Sequence, residues 1–234
     1  MEKMKWKRME KIWLIASLLI ILAGILVRNL YLGFDISKWY YTVASDLAAL
    51  FGVTYVFCIA KQERFAYLFG VLNVILYAFV MFQKSIYISA AYNILYSLPV
   101  LIYGFIYWGK VQDSQNSGVK YLTRPQKIFT FCLCVVLMVG FALLSKFVLK
   151  GENVVLDAIV SVSACVATFL MAKKYMEQWI LFIIANFFGV LLFLQVNFHD
   201  VSNIELLLMW CIYFVNSIYG AVHWKNNYGK ERVE

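Results

Sequence analysis

The sequence predicts an all-α membrane protein of about eight transmembrane helices, arranged as two parallel three-helix repeats joined by a connector helix and preceded by one N-terminal helix. Three observations predict it. The 234 residues are 63% hydrophobic and only 15% charged, with 18% aromatics and a mean hydropathy of +0.75, a composition that no soluble domain of this length shows. The charges cluster, leaving eight apolar stretches of roughly 17–24 residues, each long enough to cross a bilayer. The stretches also repeat one another in order.

Residues 1–38 hold a basic run, with Lys3, Lys5, Lys7, Arg8 and Lys11, and a first span from about Ile12 to Gly33. That span lacks a small-residue cleavage site and reads as a retained helix, not a leader. Residues 39–108 hold spans from about Trp39 to Ala60, Phe65 to Phe82 and Ile86 to Trp108. Residues 109–153 hold the longest polar segment, GKVQDSQNSGVKYLTRPQK, and a fifth span from about Ile128 to Val148. Residues 154–225 hold spans from Val154 to Ala172, Gln178 to Phe198 and Ile204 to Trp224, and residues 226–234 form a charged tail.

With eight spans both termini share a side. That side carries sixteen of the 21 Lys and Arg residues; the other carries Arg28, Lys38, Lys84, Lys146 and Lys150. Basic loops stay inside, so both termini are expected in the cytoplasm of a bacterial inner-membrane protein. The net charge of +8 is no sign of nucleic-acid binding, because the charges edge the spans and form no folded basic surface.

The repeat pairs the second span with the sixth: DLAALFGVTYVFCIAK from Asp46 and DAIVSVSACVATFLMAKK from Asp157 both run from an acid to Ala-Lys. Asn73 and Asn186 follow those alanines by 13 and 14 residues. The fourth and eighth spans end on Tyr103-Gly104 with Trp108 and on Tyr219-Gly220 with Trp224, offset by 116 residues. An odd connector makes the two units parallel, related by an axis along the membrane normal, with a small-molecule path along that axis. The first span is then an addition, possible partner of the fifth.

The stretch Trp179–Asn186, WILFIIAN, places Trp179, Phe182 and Asn186 on one helical face. A mid-membrane amide needs protein, water or ligand to face. One such stripe alone reads first as helix packing, but the repeat sets Asn73 opposite it, and Asn93, Tyr96, Tyr213 and Asn216 approach the same axis from the fourth and eighth spans. The expected substrate-binding set also includes Phe69 and Gln178. Its amides, hydroxyls and rings suit a flat, polar-edged molecule, and no carboxylate is expected at its depth. Asp46 and Asp157 open apolar runs, as helix N-terminal acids favoured by the macrodipole do; gate or coupling residues are the alternative. Pro99 is expected to kink the fourth span.

The five cysteines lie within spans at spacings of no metal motif, and His199 and His223 lie at span ends, so neither a metal nor a cofactor is implied. An intramembrane enzyme would need paired acids, a Ser/His pair or a metal cluster at one depth, and the pattern offers none. A structural or sensory membrane subunit would need no repeated polar groups at midplane.

From Asp46 to Trp224 the sequence resembles the PnuC family of bacterial vitamin transporters, relatives of the SWEET sugar transporters. The resemblance rests on the two Asp-to-Ala-Lys spans, on Trp179–Asn186 and on the two Tyr-Gly-x3-Trp ends. It implies a three-plus-one-plus-three fold, one central site, a homotrimer and uptake of nicotinamide riboside; relatives carry thiamine, riboflavin or deoxynucleosides. The family's seventh span often carries Trp-x-x-Trp before Asn or Asp, and here Phe182 stands in place of the second tryptophan. The flat, cationic ring of nicotinamide riboside would attract the aromatic faces, at about 1–2 kcal/mol for each desolvated contact. With no acid or base in the expected site, facilitated diffusion by alternating access is the expected mechanism.

Overall fold

The computed structural model describes residues 7–33, 39–83, 90, 92–112, 118–144, 146–147, 154–197 and 204–228. Lys3, Lys5, Lys38, Lys84, Lys150, His199, Lys230 and Arg232 lie outside the described residues. Eight described helices are long and apolar enough to span a membrane. They are built on α1 (Arg8–Leu32), α2 (Trp39–Ala60), α3 (Ala66–Gln83), α4 (Leu98–Gln112), α5 (Arg124–Leu144), α6 (Val154–Ala172), α7 (Gln178–Asn197) and α8 (Ile204–Tyr228), the fourth span reaching its length, Asn93–Val111, with the turn that precedes α4. The fifth span thus starts about a turn earlier than the hydropathy suggested.

A π-helical turn, Asn93–Ser97, leads into α4, and the Leu98 N–H donates to the Asn93 carbonyl five residues back. Pro99 follows directly. It offers no N–H, and the wider turn before it absorbs the break in the hydrogen-bond ladder. The expected kink is therefore a π turn N-terminal to the proline.

Six helices close a ring. Within each repeat the first helix packs on the second and the second on the third, α2 on α3 on α4 and α6 on α7 on α8. Between repeats, α4 packs on α6 and α8 on α2. The other two helices lie outside the ring, α1 against α2 and α8, and α5 against α6.

The ends of the ring carry the clearest marks of the repeat. Gln62 and Lys174, 112 residues apart, both adopt positive φ, at 56° and 60°, where α2 and α6 stop. They meet: Lys174 Nζ donates to Gln62 Oε1 at 3.0 Å. Trp108, at the end of α4, donates Nε1–H to the Met171 carbonyl on α6 at 3.2 Å. Trp224, at the end of α8, donates Nε1–H to the Ala60 carbonyl on α2 at 3.0 Å. Each repeat thereby closes the other's first helix. A row of rings joins them, Tyr67 to Trp108 at 5.1 Å, Trp108 to Trp224 at 6.2 Å and Trp224 to Trp179 at 5.5 Å.

Two glycines set that row. A Cβ on Gly104 would collide with the Tyr67 ring, and one on Gly220 with the Trp179 indole. Tyr67 and Trp179 are thus equivalent seats in the two repeats. Beneath the row, residues after Gly118 dock on the turn after α6: Lys120 N–H donates to the Lys174 carbonyl at 2.9 Å and Met176 N–H to the Lys120 carbonyl at 2.8 Å. In this loop the Tyr107 hydroxyl, 2.7 Å from Lys120 Nζ, raises the pKa of the ammonium above its ordinary value by accepting its hydrogen bond.

Helix α1 is held at both ends by charge. Lys61 Nζ lies 2.9 Å from both Glu10 oxygens, and the Tyr219 hydroxyl donates to Glu10 Oε1 at 2.7 Å. At the other end Arg28 Nη1 lies 2.8 Å from Asp46 and 3.1 Å from Glu205, and Ser45 donates to Glu205 at 2.8 Å. Charges this deep persist only when paired.

Candidate functional site

All six ring helices contribute to one central cavity of about 230 Å³. Seven of the ten expected binding residues line it: Asn73, Asn93, Trp179, Phe182, Asn186, Tyr213 and Asn216. Trp179 and Phe182 stand 6.3 Å apart with planes at 58°, giving two aromatic faces on one side of α7. The amides are anchored by one arm. Asn73 Nδ2 donates to the Ala48 carbonyl at 2.7 Å, Asn186 Nδ2 to the Tyr213 carbonyl at 3.1 Å and Asn216 Nδ2 to the Val56 carbonyl at 2.8 Å. An amide held this way keeps its oxygen in a fixed direction as an acceptor.

Several buried polar atoms at the cavity have no partner among the described residues: Trp179 Nε1, Trp210 Nε1 and Asn216 Oδ1. Two donors and an acceptor left unmade in a buried site are costly without a ligand or water to meet them. They define what the cavity recognises: a molecule with both acceptors and donors on its rim and an aromatic face.

Three expected residues are not part of the lining. Phe69 stacks on Phe51 at 6.3 Å. Tyr96 donates its hydroxyl to the Cys165 carbonyl at 2.9 Å and stacks on Tyr92 at 5.6 Å, so it bridges α4's approach to α6. Gln178 is fully buried at the start of α7, with both side-chain polar atoms unpartnered among the described residues.

The acids separate. Asp157 lies in the first turn of α6, as expected of a helix N-terminal acid, and it also lines the cavity. That corrects the expectation of a site free of carboxyl groups. Asp46 is not in the first turn of α2; its partner is Arg28 of α1, not a helix dipole. The capping reading fails for Asp46 because α2 begins at Trp39, well before the acid. Pro99 is not in the cavity wall, although Ser97 and Leu101 on either side of it are.

The structure adds lining residues that the pattern did not single out, notably Tyr55, Tyr77, Tyr92, Ser161, Thr168 and Trp210. Trp210 had a signal available. A Cβ on Gly189 would collide with its ring, and Gly189 lies one turn beyond Asn186 on α7, so the small residue marks where a large one enters.

Among the described lining residues Asp157 is the one acid, and none is Lys, Arg or His. The chemistry such a wall supports is recognition, by stacking, hydrogen bonding and one carboxyl group. No group of three metal-ligating side chains occurs among the described residues.

The comparisons with known proteins agree with this geometry. Residues 42–226 match the family model described as nicotinamide mononucleotide transporter. A nicotinamide riboside transporter PnuC of Neisseria mucosa is 29% identical, over 94% of this chain and 81% of that protein. Those of Haemophilus influenzae and Escherichia coli are 24% and 27% identical, over 94% and 72% of this chain and 90% and 80% of theirs. A crystal structure of the vitamin B3 transporter PnuC superposes with a TM-score of 0.72 at 27% identity, covering 95% of this chain and 92% of that one. With a matching family model over most of its length and a fold shared with that structure, the chain belongs to the PnuC family of membrane transporters and is not an enzyme.

Proposed function

We propose that this transporter carries nicotinamide riboside into the cell, with the central cavity as its single binding site. The observation that carries the reading is the cavity wall: aromatic faces, anchored amides and hydroxyls, with no basic side chain among the described lining residues. The relatives named above transport the riboside. The family description names the mononucleotide, but a phosphate dianion is recognised by Arg, Lys or a helix N-terminus, and this wall presents a carboxyl group in that role's place. A cavity of about 230 Å³ lies just under the roughly 300–1,000 Å³ of drug-sized sites, which suits one ring and one pentose.

Within the site, Trp179 and Phe182 stack the ring, with Trp179 Nε1 and Trp210 Nε1 as free donors and the oxygens of Asn73, Asn186 and Asn216 as acceptors. Gln178, Phe69 and Tyr96 act behind the wall. The working unit divides into residues 39–108 and 154–225 as the two repeats and 109–153 as the connector. Both termini lie in the cytoplasm, on the side that carries most of the basic residues. A homotrimer is supported by the outer face of α5, where Phe129, Phe131 and Val136 are about two-thirds exposed and would meet lipid or a neighbouring protomer.

Titrating the purified protein with nicotinamide riboside, thiamine, riboflavin and deoxynucleosides, read by tryptophan fluorescence, tests the reading. Quenching by nicotinamide riboside, abolished in Trp179→Ala protein that still elutes as wild type, is the expected result. Quenching by another member of the panel instead would reassign the substrate, with Phe182 the first residue to exchange for tryptophan.

A further inference from the structure

We infer that Asp157 is the specificity-determining counter-charge of the central site, selecting a ligand with a cationic ring over a neutral ring of the same shape. The inference rests on the substrate reading above and deepens it.

Two acids stand at equivalent places in the repeats, 111 residues apart, each opening the run that ends in Ala-Lys. The structure treats them differently. Asp46 is neutralised: Arg28 donates to both its oxygens, at 2.8 and 3.0 Å, and Asp46 does not line the cavity. The arginine comes from α1, which packs on α2 and α8. On the other side of the ring α5 packs on α6, and none of its described residues brings a cation to Asp157. Among the described residues Asp157 makes no ion pair, and its side chain accepts one hydrogen bond, from Ser161 Oγ at 3.2 Å. It faces the cavity together with Tyr77, Trp179, Phe182 and Asn186.

An acid inside a membrane protein is costly unless something meets it. The first repeat meets its acid with a resident arginine. The second leaves its acid on the wall of the central cavity, beside aromatic faces that themselves attract cations. A pyridinium ring entering that cavity supplies the missing charge, and in doing so gains an attraction that a neutral ring of equal size does not. An anionic ligand is repelled by the same group. Asp157 therefore touches the ligand, whereas Asp46 and Arg28 hold the frame.

The test compares nicotinamide riboside with its dihydro form, which has nearly the same shape and no ring charge, by isothermal titration of the full-length protein. Wild type is expected to prefer the cation by about tenfold or more. Asp157→Asn should lower that ratio by about tenfold by weakening the cation alone, leaving the smaller preference of the aromatic faces, with the neutral ligand changed by less than about twofold. Asp157→Glu, which keeps the charge, should retain the preference. An unchanged ratio in Asp157→Asn, or equal loss of both ligands from protein that elutes and unfolds as wild type does, would overturn the inference and make Asp157 a coupling or structural group. Wild-type preference for thiamine, also cationic, would overturn the substrate reading and leave this one standing; preference for a neutral deoxynucleoside would overturn both.

Discussion

Replacing Arg28 with methionine isolates what charge contributes to the seating of α1. Arg28 bridges two carboxylates, Asp46 on α2 at 2.8 Å and Glu205 on α8 at 3.1 Å, with side-chain exposures of 7%, 17% and 0%. Methionine keeps most of the aliphatic packing and removes the guanidinium. Two buried acids are then left without a cation, and breaking a buried pair by removing one partner costs about 3–5 kcal/mol. For a chain of this size 1 kcal/mol moves the unfolding midpoint by about 2–4 °C, so a fall of at least about 6 °C is expected in detergent, followed by thermal fluorescence. The triple variant Arg28→Met, Asp46→Asn, Glu205→Gln removes the acids' charge as well. Swapping a whole buried ion cluster for neutral groups is often close to neutral in stability, so the triple variant should recover most of the loss. The reasoning fails if single and triple variants unfold at the same temperature, because α1 would then be held by packing, for instance of Gly24 against Leu208, and not by charge.

Two further predictions concern the ring's closed end. Trp224→Phe leaves the buried Ala60 carbonyl without that donor, whereas after Trp108→Phe the Met171 carbonyl still accepts from the Lys174 N–H at 2.9 Å. By thermal unfolding Trp224→Phe should cost about 1–3 kcal/mol and Trp108→Phe less, about 0.5–1.5 kcal/mol. Gly104→Ala and Gly220→Ala push Cβ into Tyr67 and Trp179 respectively, at about 1–3 kcal/mol of overpacking each; only Gly220→Ala should also weaken ligand binding, since Trp179 lines the cavity and Tyr67 does not.

The span count, the repeat and seven of the wall residues were legible because each depends on a signal of long range along the chain: hydropathy over whole spans, matched acids and tryptophans, and amides at mid-span. What was not legible depends on helical phase. Tyr96 was expected at the axis from its spacing, but the π turn Asn93–Ser97 adds a residue to the ladder and rotates it by about 100°, so its hydroxyl meets Cys165. Tyr55, Tyr77 and Trp210 were missed for a related reason. In helices apolar on every side, facing lipid, packing and cavity alike, no amphipathic period marks the inner face. The division of the two acids was equally hidden, since nothing local distinguishes Asp46 from Asp157; the difference is supplied by Arg28 from another helix.

The tryptophan bonds carry a consequence for how the repeats act. Each repeat keeps its own first and second helices together, but its third helix completes a hydrogen bond of the other repeat, Trp108 to Met171 and Trp224 to Ala60. A three-helix unit alone would leave a buried indole N–H unmet, and it would enclose no cavity, because the wall draws on all six ring helices. The clamps on α1 follow the same crossed logic: Glu10 and Arg28 each tie α2 of the first repeat to α8 of the second. No such pair of charges ties α4 to α6 among the described residues; there the link is Tyr96 to the Cys165 carbonyl and Trp108 to the Met171 carbonyl. The two seams of the ring, equal in the repeat, are therefore unequal in strength. The α2–α8 seam is held by buried ion pairs at both ends, and the α4–α6 seam by neutral hydrogen bonds and by the Lys174 ammonium over the Trp108 ring at 4.8 Å. Exchanging such contacts between two arrangements costs less than separating buried ions, so the α4–α6 seam, which also contains the π turn before Pro99, is expected to open first, and faster amide hydrogen exchange there than along α2 and α8 is the measurement that checks it.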